Sequence, residues 1–317
     1  MKIAITGGGG FLGRRLAASL LTRPEVGSVR LVDTSPILEF EGDPRVERAR
    51  ANLLDPGAAD SVVADADVVF HLAAVVSGQA EAEFDLGMGV NLDATRLLLE
   101  AARAGKRTPR FVFTSSLAVF GPPLPTTVDD GTAVHPRSSY GAQKAIGELL
   151  VSDYSRKGYI DGRAVRLPTV CVRPGKPNAA ASGFVSGIIR EPLNGMTAVC
   201  PVPKNLELWL SSPKAAVLNL VHAGMLPGEK LGESRIINLP GITVSVGEMI
   251  ECLAQAAGPE AAAQITFSED ETVRRIVSSW PARFDITRAL GLGFVRDPDF
   301  RFLIRHYIET EMPSRQL

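Results

Sequence analysis

Disulfide chemistry has little to work with in this chain, because its three cysteines, Cys171, Cys200 and Cys252, are odd in number, far apart and without a Cys-x-x-Cys pair. Disulfides and a zinc site are therefore not expected. A surplus of one charge is missing too: 34 basic residues stand against 35 acidic ones, for a net charge of -1. With no basic excess there is no footprint for nucleic acid, and no such partner is expected. No apolar run approaches the ~18 residues of a membrane span, and Met1-Lys2 leads straight into the first apolar run. Neither a membrane anchor nor a signal peptide is expected, and the expected location is the cytoplasm. The four histidines form no cluster with carboxylates at ligand spacing, so no metal site is expected. What remains is an ordinary composition, 45% hydrophobic and 22% charged, over 317 residues. That length suits one large or two modest domains around a sizeable core.

Against these absences stands one concentrated feature, Thr6-Gly7-Gly8-Gly9-Gly10-Phe11-Leu12-Gly13, placed between the apolar run Ile3-Ala4-Ile5 and an amphipathic segment from Phe11 to Leu21. Glycine spacing alone marks only a turn. Here strand, turn and helix follow in the order that a dinucleotide site requires. Gly7 and Gly10 let the backbone approach a pyrophosphate, Gly13 lets helix and strand pack closely, and the helix N-terminus supplies N–H groups and positive potential. Asp33 ends the next apolar run, Val29-Arg30-Leu31-Val32, where a carboxylate accepts both ribose hydroxyls and repels a 2′-phosphate. The expected cofactor is NAD.

Short apolar runs alternate with helical patterns through the first half, the signature of right-handed βαβ units and a parallel sheet. Strands are expected at Val29 to Val32, Val46 to Ala51, Asp67 to Phe70, Arg110 to Thr114 and Arg163 to Leu167. Long helices are expected from Glu81 to Ala104 and from Ser139 to Lys157. Beyond Val170, prolines 174, 177, 192, 201, 203 and 213 interrupt the pattern and predict a loop-rich region. Ile236 to Pro240 reads as a strand returning to the main sheet, and Ser245 with Glu248 as a capping box for Val246 to Ala256. The fold class is therefore α/β, a doubly wound (Rossmann) parallel sheet over residues 1–170 with that returning strand near 235–240. A smaller, interleaved, mainly substrate-binding region covers 171–317.

Tyr140-x-x-x-Lys144 places a phenol and an ammonium on one face of a helix start. A nearby cation favours the phenolate, so Tyr140 can exchange a proton with a substrate hydroxyl while Lys144 reaches the nicotinamide ribose. Ser116, just past a strand end, can polarise the substrate oxygen. His71-Leu72-Ala73-Ala74 ends another strand with small residues that let the cofactor come close, and His71 itself reads as structural.

These motifs, with Asn91, resemble the extended short-chain dehydrogenase/reductase family over about the first 170 residues. The resemblance implies that Ser116, Tyr140 and Lys144 are the catalytic triad and that Asn91 supports the central helix or a relay water. It implies that Asn52-Leu53 lies beside the adenine, where the family usually has Asp-Leu. Thr114, Pro168 and Val170 join the implied cofactor contacts, with Phe11, Leu12, Leu72, Ala73 and Ala74. The segments Phe70 to Gly78, Arg166 to Ser182 and Ile189 to Gly195 further resemble the D-erythronate dehydrogenase family. That resemblance implies NAD-dependent oxidation of a four-carbon sugar acid at its C2 hydroxyl, giving 2-oxo-tetronate, and the superfamily implies a homodimer through the 81–104 and 139–157 helices. The alternative is a nucleotide-sugar 4-epimerase or dehydratase with tightly held NAD. Two departures count against it: Thr169 stands where those enzymes have an Asn, and Ser211-Ser212-Pro213-Lys214 replaces their acidic pair. A non-enzymatic NAD sensor, the other rival, would have no use for the triad. An anionic substrate needs a cation for its carboxylate. Arg173 is the first candidate and Arg190 the second, with Ser77, Ser116, Tyr140, Thr169 and Asn178 as hydroxyl or amide partners.

Overall fold

The computed structural model describes residues 1–175 and 180–312. Seven parallel strands form the central sheet: β1 (Lys2–Thr6), β2 (Ser28–Asp33), β3 (Val46–Arg50), β4 (Val68–His71), β5 (Arg110–Ser116), β6 (Asp161–Leu167) and β10 (Ile236–Asn238). Their order across the sheet is β10-β6-β5-β4-β1-β2-β3, so the winding reverses between β1 and β4. A doubly wound sheet opens its ligand crevice at such a reversal, beyond the strand C-termini.

Alternation along each strand assigns the two faces. Ile3 and Ile5 of β1, Phe70, Val112 and Val165 point to one side, where they meet the helices Phe11–Leu21 and Pro213–Met225 through Leu16, Leu20, Leu220 and Val221. Ala4, Val69, Phe111, Phe113 and Ala164 point to the other, against the helices Ala58–Val63, Ala94–Ala104 and Ser139–Arg156. The exposed edge strand β3 reads Val-Glu-Arg-Ala-Arg, and its charged side chains guard the open edge against pairing with another chain.

The second half builds its own core. A three-stranded sheet joins β7 (Thr169–Val170), β9 (Glu207–Ser211) and β11 (Ile242–Ser245), and β8 (Ala198–Cys200) pairs with β12 (Ile265–Phe267). The helices Gly183–Leu193, Val246–Ala257 and Phe300–Glu311 cover these strands with a common apolar cluster. Among the described residues no helix is long and apolar enough to cross a membrane.

Sequence and structure part company at two places. The stretch expected as one helix from Glu81 to Ala104 is broken into Ser77–Ala82, Phe84–Gly87, a π-helical turn Met88–Asp93 and Ala94–Ala104. The chain leaves the helical conformation at Glu83, and the winding widens at Met88–Asp93, where Asn91 sits. Its Oδ1 accepts from Val75 N (2.8 Å), and its Nδ2 donates to Val75 O (3.1 Å) and Gln143 Oε1 (2.7 Å), an inward aim helped by the wider winding. The second half is also less loop-rich than its prolines suggest. Pro213 opens a helix at its first position, where no N–H is needed, and Pro192 sits in the last turn of another. Ser245 and Glu248 do form the expected capping box, over Val246–Ala257, and β10 pairs in parallel with β6 at the sheet edge.

Candidate active site

A cleft of about 300 Å³ lies at the C-terminal edge of the sheet, between the Gly-rich turn, the end of β5 and the helix Gly183–Leu193. On the turn side Gly7 adopts φ +69°, a left-handed conformation that favours glycine. A Cβ at position 13 would stand 2.2 Å from the Gly7 carbonyl oxygen, so the helix can approach the turn only with glycine there. The helix Phe11–Leu21 has no acidic residue in its first turn and no side-chain cap. Its positive end and the first-turn amides of Phe11, Leu12 and Gly13 are thus available to an anion, and these residues line the cleft. Asp33, at the end of β2, accepts from Gly9 N (3.1 Å) and Ser35 N (3.0 Å), which pins the turn to the neighbouring strand. This cradle fits a pyrophosphate-linked dinucleotide.

On the catalytic side, Ser138 caps the helix Ser139–Arg156 through the Gly141 N–H, and Tyr140 and Lys144 follow one turn apart. Both are buried. Tyr140 is hydrogen-bonded to Ser116, whose Oγ also accepts from Ala118 N (3.1 Å). Lys144 Nζ donates to the Thr114 carbonyl (2.8 Å) and lies 4.7 Å from the Phe113 ring centroid and 5.7 Å from that of Tyr140. Burial pushes the Tyr140 phenol up to about 12, with the Ser116 hydrogen bond working against it, and pushes Lys144 down to about 7, with Glu148 working against it. Burial thus works against the Tyr140 phenolate and the Lys144 ammonium alike.

His71 is structural. Thr95 Oγ1 spends its proton on Asn91 O (2.8 Å), so it accepts from His71 Nε2 (2.9 Å), and the bare Nδ1 accepts from Thr6 Oγ1 (2.7 Å). Burial, then the Lys144 charge, pushes this imidazole down to about 3, so it stays neutral and ties β1 and β4 to the helix layer.

On the substrate side the two arginines differ. Arg190 donates to Arg173 O (2.9 Å) and to Glu191 Oε1 (2.6 Å), so its guanidinium is already engaged. Arg173 lies over the Phe11 ring (5.7 Å), and among the described residues its Nε has no hydrogen-bond partner. Burial and the neighbouring Arg190 charge both disfavour its cation, which leaves it in want of an anion.

Most of the residues expected from the sequence meet in this cleft. Gly7, Gly10, Phe11, Leu12 and Gly13 line it, as do Leu72, Ala74, Ser77 and Thr114. So do Ser116, Tyr140 and Lys144, and on the far wall Pro168, Thr169, Val170, Arg173 and Arg190. Asp33, Asn52, Leu53, Ala73 and Asn91 do not. Asn52 makes a local turn to Leu54 N (3.1 Å), and Asn91 is committed to its clamp. Asn178 lies outside the described residues. Ser115, Ser186 and Trp280 line the cleft without having been singled out from sequence. Ser186, which accepts from Arg173 N (3.0 Å), carried no motif, and Trp280 arrives from more than a hundred residues past the triad.

Fold and cleft together define a dinucleotide-dependent oxidoreductase, with Ser116, Tyr140 and Lys144 gathered in one cleft. Residues 3–209 match the NAD dependent epimerase/dehydratase family, and the chain belongs to it, with NAD as its cofactor. Two relatives are named D-erythronate dehydrogenase. That of Cupriavidus necator is 52% identical over 98% of this chain and 98% of its own length. That of Haemophilus influenzae is 50% identical over 98% and 100%. A solved structure, the nucleoside-diphosphate-sugar epimerase from Agrobacterium tumefaciens, superposes with a TM-score of 0.93 at 45% identity, covering 99% of this chain and 95% of its own. The resemblance read from the motifs thus holds at the level of the family.

Proposed function

We propose that this protein oxidises the C2 hydroxyl of a small sugar acid, D-erythronate first of all, to the 2-oxo acid with release of NADH. The observation that carries the reading is the half-buried Arg173, whose Nε has no hydrogen-bond partner among the described residues, in the same cleft as Ser116, Tyr140 and Lys144, a cation placed for a substrate carboxylate. The two D-erythronate dehydrogenases among the relatives support it.

NAD, when bound, supplies the hydride acceptor and a positive nicotinamide charge that favours the Tyr140 phenolate. The chain supplies the rest. Gly7, Gly10 and the first-turn amides hold the pyrophosphate, and Asp33 takes the adenosine ribose. Ser116 donates to the substrate oxygen, Tyr140 takes the hydroxyl proton as the C2 hydrogen leaves as hydride, and Lys144 steadies the phenolate. Arg173 fixes the carboxylate so that C2, not C3, meets the nicotinamide.

Absorbance at 340 nm tests this, with purified protein, NAD or NADP, and a panel of four- and five-carbon aldonates. NAD reduction with D-erythronate, faster than with NADP, is the expected result. Silence across the panel, with interconversion of a nucleotide sugar and no net NADH, would transfer the protein to the epimerases. The exposed Ile146 and Leu149 on the catalytic helix support a homodimer through that face, and a monomer mass by light scattering at micromolar concentration removes it.

A further inference from the structure

Behind Tyr140 and Lys144, the same helix face carries Glu148, four residues further on and 1% exposed. Three consecutive residues of β5 answer these three side chains. Ser116 bonds Tyr140, the Thr114 carbonyl accepts from Lys144, and Ser115 Oγ donates to Glu148 Oε1 (2.5 Å). Arg166, opposite Ser115 on β6, grips both carboxylate oxygens, through Nε (2.8 Å) and Nη2 (2.7 Å). Its Nη1 reaches Asn238 Oδ1 (3.3 Å) on β10, again directly opposite in register, and its guanidinium lies over the Phe120 ring (4.6 Å). Ser115, Arg166 and Asn238 thus form one row across three strands, in which Ser115 and Arg166 hold the carboxylate and Asn238 holds Arg166.

We propose that Glu148 is the positioning residue of this site: clamped by Ser115 and Arg166, it locks the catalytic helix in register with the end of β5 and sets an anion one turn behind Lys144. The inference rests on the role given above to Tyr140 and Lys144. A bidentate Arg–carboxylate pair is geometrically exacting, and removing one partner inside a protein leaves the other uncompensated, so the pair is a stiff link. A one-residue slip of the helix against β5 would separate Ser116 from Tyr140. The charges around Lys144 are few. His71 faces it from β4 and is neutral, Glu148 lies on its own helix, and Arg166 stands beyond Glu148 on β6. Asp130, paired with Arg288, is the next carboxylate outward, bonded to Asn238 N (3.1 Å). Among the described residues, Glu148 is thus the anion that offsets the burial of Lys144.

The test is Glu148→Gln, read by the titration of Lys144 in selectively labelled protein without added NAD, assigned with Lys144→Met, and by the pH profile of kcat/KM. The expected result is a Lys144 titration lowered by half a unit or more, a matching downward shift of the alkaline limb, and a fall in kcat of about tenfold or more. A Lys144 titration and limb that stay in place while only Tm drops would overturn the proposal and leave Glu148 a packing residue. If Glu148→Gln does not fold, Ser115→Ala removes the strand link and keeps the ion pair. A several-fold loss of kcat with unchanged NAD affinity supports the register lock, and an unchanged kcat overturns it. Tyr140→Phe runs in parallel: if that variant still turns over, the catalytic reading itself has failed, whatever Glu148 does.

Discussion

The two walls of the cleft are held by different kinds of chemistry. The cofactor wall is backbone: a glycine turn, a helix end and strand termini, whose shape is set by residues within a few positions of one another. The substrate wall is side chain: Arg173 propped by Arg190 and Ser186, and Trp280 brought in from far along the chain. A wall of backbone tolerates no added atom at its closest points. A wall of side chains can exchange one group at a time without moving the backbone behind it.

The sharpest way to break this contrast is Gly13→Ala. Its Cβ would collide with the Gly7 carbonyl, which cannot swing aside as a side chain could. NAD affinity should fall by at least ~100-fold, with a lowered Tm, by calorimetry of NAD binding and thermal melting. Next comes Arg173→Ala. A lost charge-assisted pair of roughly 2–3 kcal/mol should raise the KM for the sugar acid by about 30- to 150-fold while the Kd for NAD stays within about twofold. A matching loss of NAD affinity would instead place Arg173 on the pyrophosphate. Smallest is Arg190→Ala, whose guanidinium already serves Arg173 O and Glu191. A rise in KM of about 3- to 10-fold is expected, and a change larger than that of Arg173→Ala would reverse their roles.

The same contrast explains what could be read from the sequence. The Gly7 to Gly13 turn, Asp33, the parallel strands and the Tyr140–Lys144 pair are local patterns, in which spacing fixes geometry. The π-helical turn within the expected Glu81 to Ala104 helix could not be read that way, because the contacts of Asn91 on it come from Val75 and Gln143 on other elements. Glu148 stood at a legible spacing, one helical turn past Lys144, but its meaning comes from Arg166 on another strand. The difference between Arg173 and Arg190 is likewise invisible without the carbonyl and carboxylate that occupy one and not the other.

The edge strand β10 carries a consequence for how the molecule is made. A ribosome releases residues 1–170 long before residue 238. Until the later segment emerges, the cofactor sheet lacks its seventh strand, and the face formed by Ile5, Phe70 and Val165 has no helix Pro213–Met225 to cover it. The first half therefore completes its core only together with the later segment that carries Pro213–Met225 and β10. A recombination event that exchanges the substrate region at a single crossover would take the helix and the strand with it. Inheritance of a new specificity is thereby tied to the integrity of the old cofactor site.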